Sequence, residues 1–188
     1  MNKKLGSVIL DWGKSIVLAL VVVVSLSFFV TPTSVVQTSM YPTLYEDDGL
    51  LLYKLGSIDR GDIVTLKSNL KLTSNDIEKL FFFQKLFFKE GDRKPLIKRV
   101  IGIPGDKIDI YEGKVFINDS YIEESYIMDE TNGEVHIEKI PEDKYFVLGD
   151  NRSNSIDSRN PNVGLIDRKD IIGKAIFRYW PLSRIRLF

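Results

Sequence analysis

The chain has 188 residues, enough for one domain with a real hydrophobic core. Its 26 basic and 26 acidic side chains balance to a formal charge of +0, which argues against a nucleic-acid binder working through a broad basic surface. It has no cysteine and one histidine, so thiol nucleophiles, disulfides and cysteine-based metal sites are excluded, and any histidine-dependent triad would have to use His136.

Residues 1–14 form a short, mildly basic N-terminus carrying Lys3, Lys4 and Lys14. Residues 16–30 are almost unbroken in their apolar character, and with the uncharged flanks the stretch covers residues 15–34. That is about 20 residues, the length that spans a bilayer. Trp12 and Lys14 suit an interfacial anchor, and no further positive charge occurs until Lys54. The expected topology is a single transmembrane anchor with a cytoplasmic N-terminus and an extracytoplasmic domain over residues 35–188. Ser25-Leu26-Ser27 has the small-x-small spacing of a signal-peptide cleavage site, but the apolar run continues through Phe28-Phe29-Val30, which favours a retained anchor.

Residues 31–43 read as a linker that brings the chain from the membrane surface to Ser39-Met40-Tyr41-Pro42-Thr43. Taken alone, Ser39 is a turn serine. Leu50-Leu51-Leu52-Tyr53-Lys54 reads as a buried strand, Asp59-Arg60-Gly61-Asp62 as a turn and Ile63-Val64-Thr65-Leu66 as the next strand. Residues 68–95 interrupt this β pattern as an aromatic-rich insert. Asn75 and Glu78 have the spacing of a capping box leading into a short helix over residues 77–89. That segment is apolar nearly all round: it either packs over the β core or dips into the lipid interface with Lys79, Lys85 and Lys89 at headgroup level.

Lys98-Arg99-Val100-Ile101-Gly102-Ile103-Pro104-Gly105-Asp106 is a strand followed by a dictated turn, with a lysine inside it. Taken alone, Lys98 snorkels to solvent from an edge strand. Facing inward, it loses hydration, its pKa falls, and it becomes a base able to deprotonate a hydroxyl. Ser39 and Lys98 are therefore read as a Ser–Lys dyad. Residues 107–111 and 114–117 form a hairpin around Glu112-Gly113, and Asn118-Asp119 turns the chain again. Residues 134–140, 145–148 and 171–180 are further strands, and a basic, apolar tail ends the chain. His136 lies in the alternating run of residues 134–140, as a half-exposed strand histidine. Asp150-Asn151-Arg152-Ser153-Asn154 is similar to the start of an EF-hand loop, but it has an arginine at a ligand position and lacks the later Gly and Glu. The polar loop 149–161 alternates charges and hydroxyls closely enough to build a hydrogen-bonded network that orients Lys98. The fold class expected is all-β, a small and mostly antiparallel domain with a short helical aromatic insert, preceded by one N-terminal transmembrane helix.

Four stretches in order, Ser39 to Leu44, Arg60-Gly61-Asp62-Ile63-Val64, Lys98 to Asp106 and Gly149 to Arg159, follow an N-terminal anchor, and this arrangement resembles type I signal peptidases in their compact Gram-positive form. The resemblance implies a membrane-bound serine endopeptidase that removes signal peptides from exported preproteins, cutting after small residues at −1 and −3. It implies Ser39 as nucleophile, Lys98 as general base and Ser155 as a hydrogen-bond partner holding the Lys98 amine. It also implies a supporting Asp157–Arg159 ion pair and Asp150 and Arg152 as framework residues. The side-chain oxyanion donor of many relatives, a Ser or Thr two positions before the nucleophile, is replaced here by Gln37. No cofactor or metal is required, and the partners are exported preproteins and the lipid bilayer, with no nucleic acid. Two alternatives stay open: another Ser–Lys protease, such as the self-cleaving repressors of the DNA-damage response, and a non-enzymatic membrane-anchored assembly partner of the same family.

Overall fold

The computed structural model describes residues 2–78, 85 and 88–188, with side chains described from Trp12 onward. Helix α1 (Asn2–Phe29) has no protein cover over its Trp12–Phe29 segment, which is long and apolar enough to cross a membrane. Its 18 residues rise about 27 Å at the helical repeat. The apolar run reads as anchor through residue 34, but the helix stops at Phe29 and Val30–Ser34 forms strand β1. The reason is local. Val30-Thr31-Pro32-Thr33 is β-branched around a proline, and β1 sits at the rim of the sheet, where Pro32 has no ladder bond to break. The helix end is also tied down: the Lys54 amine donates to the Ser27 carbonyl (2.6 Å) and the Lys54 N–H to the Phe29 carbonyl (2.9 Å). The apolar helix thus runs into the sheet without a free linker.

Strands β2 (Gly49–Tyr53), β3 (Ile63–Lys71), β4 (Arg93–Gly102), β9 (Lys144–Leu148), β10 (Ile166–Asp167), β11 (Ile171–Trp180) and β12 (Arg186–Leu187) join β1 in an eight-stranded sheet. Its order is β1-β2-β11-β3-β4-β9-β10, with β12 also on β11, and every pairing is antiparallel. A second, four-stranded sheet contains β5 (Ile108–Tyr111), β6 (Lys114–Ile117), β7 (Ser120–Tyr121) and β8 (Val135–Ile137) in the order β7-β6-β5-β8. Its two tight turns place Glu112 and Gly113, then Asn118 and Asp119, at positive φ, the conformation that two-residue hairpins demand. The all-β expectation holds.

Period-2 alternation gives the sheets their cores. Val64, Leu66, Leu96 and Val100 pack with Val147 and Ile171 on one side of the large sheet. Val35, Met40, Leu44, Leu52 and Ile63 pack together in another cluster, and Ile108, Ile110, Val115 and Ile117 pack against Ile101, Ile140, Phe146 and Leu148. The break in the β pattern is shorter than residues 68–95, because β3 continues to Lys71 and β4 begins at Arg93. Polar Ser68 is accommodated inside the hairpin by donating to the Lys94 carbonyl (2.8 Å). The short helix α2 spans Ser74–Glu78, and its reciprocal cap is Thr73 with Asp76, two residues earlier than the Asn75/Glu78 pair expected. Most of the helix expected over residues 77–89 lies outside the described residues.

Candidate active site

Ser39 Oγ lies 2.6 Å from Lys98 Nζ. The two residues are 59 positions apart in sequence, and both are buried, Lys98 to 1 % exposure. Lys98 reaches this position because β4 has two halves. β9 pairs with Arg99, Val100 and Gly102, so among the described residues, residues 93–98 keep a free edge on that side. The turn that carries Ser39 fills part of the space where β9 would continue. The β9 end confirms this: the Asn151 N–H donates to the Ser39 carbonyl (3.0 Å). A side-chain carbon on Gly149 would collide with Ser155 Oγ and come within 2.5 Å of the Ser39 carbonyl oxygen, so only glycine lets the two loops approach this closely.

The amine is bonded to Ser39 Oγ and to the Ile97 carbonyl (3.1 Å). Burial pushes its pKa down to about 8, against the opposing pull of the Asp157 and Asp150 carboxylates, while Arg159 and Lys94 lower it further. A lysine ammonium has little hydration here, so its neutral form is accessible near physiological pH.

Asp157 and Arg159 form the expected ion pair, with Nε to Oδ1 at 2.9 Å. Burial raises the Asp157 pKa, but the Arg159 hydrogen bond and charge outweigh it and hold the carboxyl below its ordinary value. Asp157 also accepts the Gly149 N–H (3.0 Å), and Arg159 reaches the Arg152 and Asn132 carbonyls. The hydrogen bond expected from Ser155 to the Lys98 amine is not made. Ser155 Oγ is shut off from solvent beside Asp157, while the Lys98 amine is directed at Ser39 and the Ile97 carbonyl. Gln37 is exposed beside Ser39. The neighbouring Thr38 hydroxyl accepts from Asn154 Nδ2 (3.0 Å), and its carbonyl accepts from Asn151 Nδ2 (3.2 Å).

Asp150 and Arg152 are framework residues, but their partners were not foreseen. Asp150 takes a bidentate grip from Arg99 (2.8 and 2.6 Å) and the Thr43 hydroxyl (2.5 Å), which ties β4 to the serine turn. Arg152 is fully buried and bidentate to Glu124 (2.7 and 2.6 Å), with Thr131 and the Gly149 carbonyl (3.0 Å) as further acceptors. Tyr126 donates to Glu124 (2.5 Å) and lies under the Arg99 guanidinium, 4.0 Å from its ring centroid. Asp48, fully buried, is held by Arg178 (2.9 Å) and Arg184 (2.8 Å), and Arg178 also binds the Thr43 carbonyl (3.0 Å). Arg99 could have been noticed as the direct neighbour of Lys98. Glu124 and Thr131 sit in an irregular polar stretch with no sequence signal. His136 is the strand histidine expected, on the surface and bonded to Asp109 (2.5 Å), far from any role with Ser39.

Two cavities meet at Ser39 and share Val36, Gln37 and Leu96 as walls. One, of about 440 Å³, is mainly apolar and runs between residues 31–36 and 95–97, with Leu52, Ile172 and Phe88 behind them. The other, of about 410 Å³, is polar and bounded by Lys94, Asn154, Ser155 and Glu46. The site therefore combines a hydroxyl, an adjacent amine of lowered pKa, a hydrogen-bonded polar support and an extended cleft. This is the set of parts that acyl transfer requires.

The family described as "Signal peptidase, peptidase S26" matches residues 9–180. Signal peptidase I P of Bacillus subtilis subsp. natto is 35 % identical over 98 % of this chain and 96 % of its own length. Signal peptidase I S of Bacillus subtilis (strain 168) is 32 % identical over 95 % of this chain and 92 % of its own. A crystal structure of a signal peptidase I from Enterococcus faecalis V583 covers 64 % of this chain and 98 % of its own, at 22 % identity and a TM-score of 0.48. With the match spanning the helix, both sheets and the Ser39–Lys98 pair, the chain belongs to the signal peptidase family, peptidase S26.

Proposed function

We propose that the protein is a membrane-bound serine endopeptidase that removes signal peptides from exported preproteins. The observation that carries this reading is the 2.6 Å contact between Ser39 Oγ and the amine of a buried lysine whose pKa is lowered to about 8. Helix α1 spans the membrane with its N-terminus in the cytoplasm, and the β domain works at the outer surface, where Ser39 follows the helix end by only ten residues. The bilayer and the preprotein are its partners.

The substrate lies extended in the apolar cleft and adds main-chain hydrogen bonds to the free edge of β4 at residues 93–98. Its −1 and −3 side chains point to the same side, into the 440 Å³ cavity, whose close walls admit small residues. Neutral Lys98 takes the Ser39 proton as Oγ attacks the carbonyl carbon. The Ser39 N–H, with Gln37 as side-chain donor, holds the developing oxyanion. The lysine then gives its proton to the leaving amine, which becomes the N-terminus of the mature protein. Lys98 next deprotonates a water that attacks the Ser39 ester, releasing the signal peptide carboxylate and restoring the hydroxyl. Asp157, Arg159, Asp150 and Arg152 hold the loop that frames the dyad, and Ser155 closes the solvent side.

The test is cleavage of a membrane-inserted preprotein with an A-x-A site by detergent-solubilised wild type, Ser39→Ala and Lys98→Ala, with circular dichroism on each. Wild type cuts after the A-x-A site and both folded variants are inactive. An inactive wild type, or a variant with full activity, rejects the reading.

A further inference from the structure

Thr65 lies in β3 with 3 % exposure, and its Oγ1 has no hydrogen-bond partner among the described residues. A closed-off hydroxyl without a partner is costly, so its position matters. Thr65 lines the apolar cavity that opens at Ser39. Its cross-strand neighbours explain why the hydroxyl stays unmet. On one side it pairs with Ile97, which cannot hydrogen-bond. On the other it pairs with Gly173, next to a register shift between Ile171 and Gly173. Gly173 has no side chain to cover Thr65, and a carbon added there would come within 2.7 Å of the Tyr53 carbonyl oxygen. The nearby walls Leu52 and Ile172 are apolar, while Thr31 and Thr33 line the same cavity from β1.

Thr65 is also one strand in from the edge of β4 that faces Ser39. In an extended substrate the −1 and −3 side chains share a face and are separated by about 7 Å. With −1 at Ser39, the side chain that reaches the Thr65 end of the cavity is −3.

We infer that Thr65 makes this cavity select a small hydroxyl-bearing side chain, threonine or serine, three residues before the scissile bond. This rests on the endopeptidase reading above. A purely apolar pocket scarcely distinguishes threonine from its isostere valine, whereas a pocket holding an unmet buried hydroxyl favours the side chain that satisfies it. One neutral hydrogen bond gives about a fivefold preference.

The experiment uses the full-length chain in detergent and two preproteins that differ only at −3, threonine against valine, with alanine at −1. The measured quantity is the ratio of their kcat/KM values for wild type, Thr65→Val and Thr65→Ser. The expected result is a ratio of about five for wild type, retained in Thr65→Ser and reduced to about one in Thr65→Val. Because Thr65→Val keeps the shape and removes only an unpaired hydroxyl, its melting temperature equals or exceeds that of wild type. A wild-type ratio of one or less, or a ratio unchanged in Thr65→Val, overturns the inference while leaving the peptidase reading intact. Cleavage of neither preprotein overturns the peptidase reading and this inference with it.

Discussion

Lys98 is held in a place that serves chemistry at the expense of stability, and the size of that conflict is measurable. Burial brings its pKa from 10.5 to about 8. Below pH 8 both the folded and the unfolded chain carry the proton, so the folded state bears the full difference, about 3 kcal/mol at 1.36 kcal/mol per pH unit. Between pH 8 and 10.5 the folded chain has released the proton and the unfolded chain still binds it, so stability rises with pH. Above 10.5 neither binds it, and the cost is gone. Replacing Lys98 with Met keeps a long, flexible side chain in the same space without the charge. The expected outcome is an inactive protein that melts about 10 °C above wild type at pH 7, taking roughly 2–4 °C per kcal/mol for a chain of this size. The advantage shrinks as pH rises from 8 to 10. Thermal unfolding of both proteins in the same detergent, followed by circular dichroism at pH 6, 7, 8, 9 and 10, measures it. A Lys98→Met protein that melts below wild type at pH 7, or a gap that does not narrow above pH 8, refutes the argument that desolvation sets the state of this lysine.

Other outcomes follow from the same geometry. With the neutral amine as the proposed base, kcat/KM climbs about tenfold per pH unit below a midpoint near 8 and levels above it, and Asp157→Asn moves that midpoint to lower pH by removing a carboxylate that favours the ammonium. A rate flat from pH 6 to 10 contradicts this. Gly149→Ala pushes Ser155 and the Ser39 carbonyl apart and reduces kcat by about 100-fold, the scale of a 1 Å displacement at a reacting group, with the fold retained by circular dichroism. Glu124→Gln leaves the buried Arg152 charge without its counter-charge and destabilises the protein by about 3–5 kcal/mol in denaturant unfolding, although Glu124 touches neither Ser39 nor Lys98. Gln37→Ala reduces kcat by about 100-fold with little change in KM, the effect of losing one oxyanion donor; an unchanged kcat assigns that task to the backbone alone.

Legibility in the sequence was uneven for physical reasons. Strands with a clear period or a clear turn were readable: Gly49–Tyr53, the hairpin around Glu112-Gly113 and the whole of Ile171–Trp180 lie where alternation and turn residues place them. Boundaries failed where tertiary contacts override local pattern. Pro32 and its β-branched neighbours end the helix at Phe29, and pairing with β2 turns the last five residues of the uncharged 15–34 stretch into a strand. Ser68 breaks the apolar alternation, and only a hydrogen bond across the hairpin keeps β3 extended there. In the site, the Asp157–Arg159 pair came from the family resemblance of the loop that carries both residues. Glu124, Thr131 and Asp48 were not recoverable, because their partners are 28, 21 and 130 positions away.

The amino-acid sequence by itself determined the all-β class and the membrane-length N-terminal segment and singled out Ser39 and Lys98, since periodicity, apolar length and residue chemistry are local properties. Only the tertiary structure decided that the two residues touch, that Lys98 is dry enough for its proton to be labile, and that Arg99, Asp150, Glu124 and Arg152 brace the loops around them. It also left Ser155 without the bond assigned to it and placed an unmet Thr65 hydroxyl in the cleft. Distances between remote residues, and the desolvation that shifts a pKa, arise from packing of the whole chain and are written in no single segment of it.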